Sequence, residues 1–204
     1  MSLEIWAAFA AASAALLMIP GPTVLLVLSY ALSRGRRVAV STALGVALGD
    51  LIAMVACLVG LGALIAASAT AFTVLKWAGA AYLVWLGVKL IRAPTKEALP
   101  LPSEARNTFG HAALFTALNP KSIGFFVAFV PQFVDPARPV LPQAAILVVT
   151  FVGLAALNAL LYALAADRLR ARIARPGVIG LLQKVGGATL IAMGALTATL
   201  RRSA

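Results

Sequence analysis

Six long apolar runs, separated by short segments that carry charge or Pro and Gly, occupy almost the whole sequence. Each run exceeds the roughly 18 residues that mark a membrane-spanning helix. The runs are Ile5–Leu32, Val38–Ala66, Thr73–Ile91, Phe109–Val134, Ala144–Ala166 and Val178–Leu200. They predict an all-α integral membrane protein with six transmembrane helices that form one membrane domain over residues 1–204.

The composition agrees with this class and excludes others. Of the 204 residues, 62% are apolar and 11% are charged, whereas a soluble domain is about 45–50% apolar and about 25% charged. A soluble enzyme, a disordered chain and a fibrous repeat are therefore excluded. The net charge of +11 is typical of basic loops in membrane proteins, and no nucleic-acid partner is expected because no aromatic-rich basic patch accompanies it.

Lys and Arg fall mainly in alternate connections, which predicts the orientation of the chain. The second and fourth connections and the C-terminus hold four of them, namely Lys76, Arg138, Arg201 and Arg202. The first, third and fifth connections hold eleven, namely Arg34, Arg36, Arg37, Lys89, Arg92, Lys96, Arg106, Arg168, Arg170, Arg172 and Arg175. Because the cytoplasmic loops carry the excess of positive charge, we expect a multi-pass protein of the bacterial inner membrane with both termini outside.

The two halves of the chain share a pattern. Gly45–Asp50 in the second run matches Gly153–Asn158 in the fifth, and Lys76–Gly79 in the third matches Gln183–Gly186 in the sixth. With three spans in each half, the second half must cross the membrane in the opposite sense. Inverted repeats of this kind build many secondary transporters. The pattern predicts two inverted three-helix repeats, residues 1–92 and 109–204, with a cytoplasmic connection over 93–108.

Proline and glycine interrupt the first run of each half. Pro20, Gly21 and Pro22 lie inside the first run, and Asn119 and Pro120 lie inside the fourth. Each proline lacks an N–H and clashes with the preceding turn, while glycine permits backbone angles closed to other residues. Backbone groups freed in this way cannot face lipid. The two positions therefore predict a pair of broken helices around a binding site, with a plain kink as the alternative at each.

Two charged side chains and one amide lie deep within the runs. A charge such as Asp50 costs about 2.5–3.5 kcal/mol near the bilayer centre on insertion scales, so it should face the interior and have a partner or exchange a proton. Lys121 is the expected partner; it could also hold a substrate carboxylate, or extend to the membrane surface if the fourth span starts later in the chain. Asn158 matches Asp50 in the repeat and could bind a zwitterion, with a helix–helix hydrogen bond as the equal alternative.

Four segments of the sequence resemble the LysE/RhtB family of amino-acid exporters. They are the tripeptide Pro20–Pro22, Leu75–Gly87 (LKWAGAAYLVWLG), Asn119–Ile123 (NPKSI) and Pro131–Phe133 (PQF). The resemblance covers essentially the full length, and it implies secondary export of an amino acid or close analogue, driven by the proton motive force. No cofactor is predicted. The resemblance does not assign Asp50, whose coupling role is a hypothesis from the residues alone.

The predicted mechanism is amino-acid/proton antiport by alternating access, with substrate bound between the two broken helices. A metal-ion or other small-metabolite exporter is the main alternative, although Asp50 alone offers few metal ligands. A thiol-transferring oxidoreductase is excluded because it needs two cysteines and only Cys57 is present. An intramembrane enzyme would need a catalytic pair, and the lone His111 does not supply one. No catalytic or metal site is therefore predicted, and a homodimer is left open.

Overall fold

The computed structural model describes residues 1–19, 21–34, 38–67, 69–93, 107–135, 137–166 and 176–199, where helices are joined by short connections and no strand occurs. A short 3-10 helix, Val130–Phe133, follows the sixth α-helix. The α-helices are α1 Leu3–Met18, α2 Pro22–Arg34, α3 Ala39–Ala67, α4 Ala69–Arg92, α5 Thr108–Ala117, α6 Pro120–Ala128, α7 Val140–Leu164 and α8 Pro176–Thr199.

The first and fourth apolar runs are both broken, as predicted. α1 and α2 meet at an angle of 55°, and α5 meets the segment that begins at Pro120 at 45°. The second helix of each broken pair, α2 or α6, begins at a proline. Proline is tolerated there because the first turn of a helix does not need the missing N–H. Gly21 precedes α2 and Asn119 caps α6. Pro20 lies outside the described residues.

The long helices agree with the prediction of membrane spans. Three of them, α3, α4 and α7, are long and apolar enough to cross a membrane, and the count rises to five if each bent pair is one span. The sixth predicted span coincides with α8, which has 24 residues and is not among these five. Six spans in two repeats therefore stay a prediction.

Close helix contacts depend on glycine. α3 packs against α5 and α7, and α4 packs against α8. A Cβ added to Gly45 or Gly49 would collide with the backbone carbonyls of Phe109 or Ala113 on α5. These two glycines let α3 approach α5 closely, as expected for a small-residue interface between membrane helices. The approach fixes the position of Asp50, the next residue on α3.

The core consists of two hydrophobic clusters. The aromatic cluster contains six phenylalanines in a chain of ring contacts, Phe9, Phe125, Phe126, Phe129, Phe133 and Phe151. The aliphatic cluster is built from valine, leucine and alanine side chains of α2, α3, α5 and α7, and it includes the fully buried Tyr30. Both clusters contribute residues to one cavity, which therefore lies where they meet.

Candidate functional site

The cavity lies at the junction of the two broken helices. Its polar lining residues are Thr23, Asp50, Asn119, Lys121, Ser122 and Asn158, and Gly21 adds backbone. Its apolar walls are Leu16, Leu17, Val24, Val27, Val46, Ala155 and Ala159. Its volume is about 30 Å³, which is room for about two water molecules. The broken helices thus meet at a small cavity in which six polar side chains lie among apolar walls.

The structure brings five of the eight predicted site residues into this lining. These five are Gly21, Asp50, Asn119, Lys121 and Asn158. Pro22 and Pro120 start α2 and α6 beside the cavity without lining it. Pro20 cannot be placed because it lies outside the described residues.

Asp50 is the acidic group of the cavity. Its side chain is 2% exposed, and its Oδ1 atom has no hydrogen-bond partner in the described part of the chain. The groups that interact with its carboxyl are the hydroxyl of Ser122 and the ammonium of Lys121. A buried acceptor without a donor costs free energy unless a ligand, a proton or water meets it. Oδ1 is therefore a buried acceptor of a cavity-lining residue whose hydrogen bonding a ligand, a proton or water could complete.

Lys121 binds backbone carbonyls as well as interacting with Asp50. It is 8% exposed, and its Nζ atom donates to the carbonyl oxygens of Leu16 at 2.8 Å and Ile19 at 2.9 Å. Gly21 makes room for it, because a Cβ there would lie 3.3 Å from both Cδ and Nζ of the lysine. The lysine thus connects the start of α6 to the end of α1.

Two further side chains complete the bonding of the end of α1. The last four carbonyls of any helix lack intrahelical donors. Asn158 donates through Nδ2 to the oxygen of Leu17 at 3.0 Å, and the Tyr162 hydroxyl donates to the oxygen of Met18 at 2.9 Å. Together with Lys121, these donors satisfy all four carbonyls of residues 16–19. Asn158 thus makes a helix–helix hydrogen bond, and because it also lines the cavity, its binding of a zwitterion stays a prediction.

Asn119 joins the two broken helices. Its Oδ1 atom accepts from the backbone N–H of Lys121 at 3.0 Å, which caps α6. Its Nδ2 atom donates to the hydroxyl of Thr23 at 2.9 Å, near the start of α2. Asn is a preferred N-cap residue because its side-chain oxygen binds a free N–H of the first turn. One side chain therefore fixes the starts of both α2 and α6.

Sequence reasoning missed Thr23, Ser122 and Tyr162. Tyr162 lies four residues after Asn158 on α7, a spacing that places both side chains on one helix face. That spacing was the available signal for Tyr162. Thr23 and Ser122 are adjacent to predicted residues, but a small hydroxyl in a membrane helix often bonds its own backbone, so the sequence gives no signal for them.

The described residues contain no group of three or more His, Cys, Asp or Glu side chains that could hold a metal ion. The two charged side chains of the cavity instead have opposite sign. They are suited to a ligand that carries both an ammonium and a carboxylate, because each end can meet its counter-charge.

Comparison with known proteins places the chain among membrane translocators. It is 37% identical to a homoserine/homoserine lactone efflux protein of Salmonella typhimurium over 206 residues, covering 100% of both chains. It is 34% identical to an uncharacterized membrane protein of Vibrio cholerae over 98% of this chain and 100% of the relative. A leucine efflux protein of Salmonella choleraesuis is 33% identical over 61% of this chain and 60% of its own length.

No solved structure matches the chain with significance. The family profile described as LysE type translocator matches residues 14–201, which include the whole cavity. The sequence resemblance is thereby confirmed, and the chain belongs to the LysE type translocator family.

Proposed function

We propose that this protein exports an amino acid or a close analogue from the cytoplasm by proton antiport. Family membership and the relatives named as homoserine and leucine efflux proteins support an amino-acid substrate. The observation that carries the proposal is the pair of opposite charges, Asp50 and Lys121, buried in one cavity between two broken helices. A zwitterion is the ligand class that matches such a pair.

Substrate would bind in this cavity after the protein opens. In the described conformation the cavity has room for about two waters, which is less space than any amino acid needs. Entry and release therefore require that helices around the cavity separate. Export in one direction requires opening to each side of the membrane in turn, which is alternating access.

The contact between α4 and α8 supports an arrangement of two inverted repeats. A shift of 107 residues carries Ala80 onto Gly187 and Gly87 onto Gly194. A Cβ added to Gly87 would lie 2.5 Å from the oxygen of Gly187, and a Cβ added to Gly194 would lie 2.7 Å from the oxygen of Ala80. The shift of 107 residues therefore turns the Gly87–Gly187 contact into the Gly194–Ala80 contact. Two helices related by a two-fold axis make their contacts in such matching pairs. Repeats related in this way are common in secondary transporters.

Each polar group of the cavity has a proposed role. Asp50, with its free Oδ1 atom, would meet the substrate ammonium or the exchanged proton. The starts of α2 and α6 and the ammonium of Lys121 would attract the carboxylate, because a helix N-terminus carries partial positive charge. Asn119 would hold these two helix starts together while the substrate is bound. The cytoplasmic loops would be the three basic connections, with both termini outside.

Efflux from proteoliposomes tests the proposal. Vesicles loaded with an equimolar amino-acid mixture, including homoserine and leucine, should lose one or a few species under an inward proton gradient, and a protonophore should stop the loss. Asp50→Asn should abolish this efflux without preventing membrane insertion. Glu4→Gln, an exposed acid at the start of α1, is the matched control and should transport normally.

Two outcomes would contradict the proposal. If no amino acid leaves the vesicles, in either orientation of the protein, the substrate class is wrong. If Asp50→Asn exports at the wild-type rate with the same dependence on the proton gradient, Asp50 has no coupling role.

A further inference from the structure

The end of α1 has the chemistry of a cation site. The carbonyl oxygens of Leu16 and Ile19 converge on one point, where they receive the ammonium of Lys121 at 2.8 Å and 2.9 Å. A helix C-terminus carries partial negative charge, which attracts cations. In transporters with broken helices, such carbonyl ends coordinate coupling cations. Here the position is filled by a side chain of the same protein.

Asp50 provides an independent observation at the same place. Its Oδ1 atom is buried and unpartnered among the described residues, and its carboxyl lies in the electrostatic field of Lys121. Asp50 and Lys121 line the same cavity as Leu16 and Gly21. Lys121, whose ammonium binds the two carbonyls, thus lines the same cavity as a carboxylate with an oxygen that has no donor among the described residues.

We propose that the carbonyls of Leu16 and Ile19 form a monovalent-cation site with Asp50 as its nearby counter-charge, and that the Lys121 ammonium is its tethered occupant. Oxygen ligands of this kind suit Na⁺, K⁺ or a primary ammonium. Because the lysine is covalently attached, the wild-type protein needs no dissolved cation at this position. The proposal concerns ion binding and does not depend on which solute is exported.

Removing the lysine should open the site to a dissolved cation. Without the ammonium, Leu16 and Ile19 lose their donor and Asp50 loses its counter-charge inside an apolar environment. A buried charge whose partner has been removed is strongly destabilising. A small cation that enters the vacated space restores both interactions and stabilises the folded protein in proportion to its concentration. The lysine stem must also be removed, because it fills the space beside Gly21.

Thermal unfolding in detergent tests this inference with two matched variants. Lys121→Ala removes both the ammonium and the stem, whereas Lys121→Met removes the charge and keeps a chain of similar length. Each protein is heated with NaCl, KCl or methylammonium chloride at constant ionic strength, balanced with N-methylglucamine. The unfolding midpoint of Lys121→Ala should rise and saturate with at least one of the small cations, while those of wild type and Lys121→Met should not change.

The double variant Asp50→Asn/Lys121→Ala tests the role of Asp50 as counter-charge. It should lose the cation response, because the carboxylate is gone. A Lys121→Ala protein whose midpoint ignores all three cations would overturn the proposal, and so would a double variant that responds as strongly as the single one.

The wild-type protein supplies a measurement that does not depend on the folding of any variant. Its efflux in proteoliposomes should be equal in sodium and in N-methylglucamine buffers, because Lys121 already occupies the site. An absolute requirement for Na⁺ would overturn the proposal. Failure to export any amino acid in either buffer would instead contradict the proposed function and leave the cation titration of Lys121→Ala to decide the site.

Discussion

Replacing Gly49 by Ala should force α3 away from α5. The new Cβ would collide with the carbonyl oxygen of Ala113, and it would lie 2.7 Å from Cβ of Thr116 and 2.9 Å from the backbone nitrogen of Ala117. Carbon atoms in contact prefer about 3.5–4.0 Å, so the overlap with Thr116 is about 1 Å. Backbone atoms cannot rotate out of the way, and the helices must separate.

Two opposing terms give the expected change in the unfolding free energy of Gly49→Ala. Forcing an extra methyl into a packed interface costs about 1–3 kcal/mol, and the rigid backbone neighbours place this case in the upper half of that range. Alanine is favoured over glycine in a helix by about 1 kcal/mol. The net loss of unfolding free energy should therefore be about 1–2 kcal/mol.

Gly60→Ala is the matched control on the same helix. A Cβ at Gly60 meets nothing within 4 Å, so this variant should be stabilised by about 1 kcal/mol. Both free energies can be measured by chemical unfolding in detergent micelles, followed by far-UV circular dichroism. If Gly49→Ala were as stable as Gly60→Ala, the close approach of α3 and α5 would be wrong.

Three further substitutions test the hydrogen bonds around the cavity. Asn119→Ala removes the acceptor for the Lys121 amide, and loss of an N-cap costs about 1 kcal/mol, so the unfolding midpoint in detergent should fall. Tyr162→Phe removes only the donor to the Met18 carbonyl, and the same assay should show a loss of about 0.6–2 kcal/mol; an unchanged midpoint would exclude that bond. Gly21→Ala puts a methyl 3.3 Å from Lys121 Nζ, so efflux from proteoliposomes should slow several-fold. Efflux at the wild-type rate in this variant would show that the ammonium is not held there.

The sequence predicts the long apolar helices and the two breaks because both follow from local chemistry, while the count of six spans stays a prediction. Hydropathy over about 18 residues identifies a span without knowledge of its neighbours. Pro22 and Pro120 mark the breaks because the missing N–H acts on the same chain segment. The cavity lining can be predicted in part from the sequence. Unpaired backbone groups and charged side chains both avoid lipid, and this places Asp50 and Lys121 in the interior.

The partners of these groups could not be predicted, because they lie far apart in the chain. Lys121 was expected to pair with Asp50 or a substrate, yet its ammonium also binds carbonyls 102 and 105 residues away. Every residue has the same backbone carbonyl, so no side-chain pattern indicates that the carbonyl of Leu16 or Ile19 is an acceptor. The contact of Asn158 with Leu17, 141 residues away, depends on the same long-range packing.

The bonding of α1 also affects how the protein must be assembled. Its four terminal carbonyls find donors only between 102 and 144 residues later in the chain. If the end of α1 lies in hydrocarbon, as the first predicted span implies, a newly made first half has four unsatisfied polar groups there, each costing several kcal/mol. Until Lys121, Asn158 and Tyr162 have been synthesised, this segment must stay beside water or beside the insertion machinery. We therefore predict that insertion is cooperative between the halves and that the N-terminal half on its own inserts poorly.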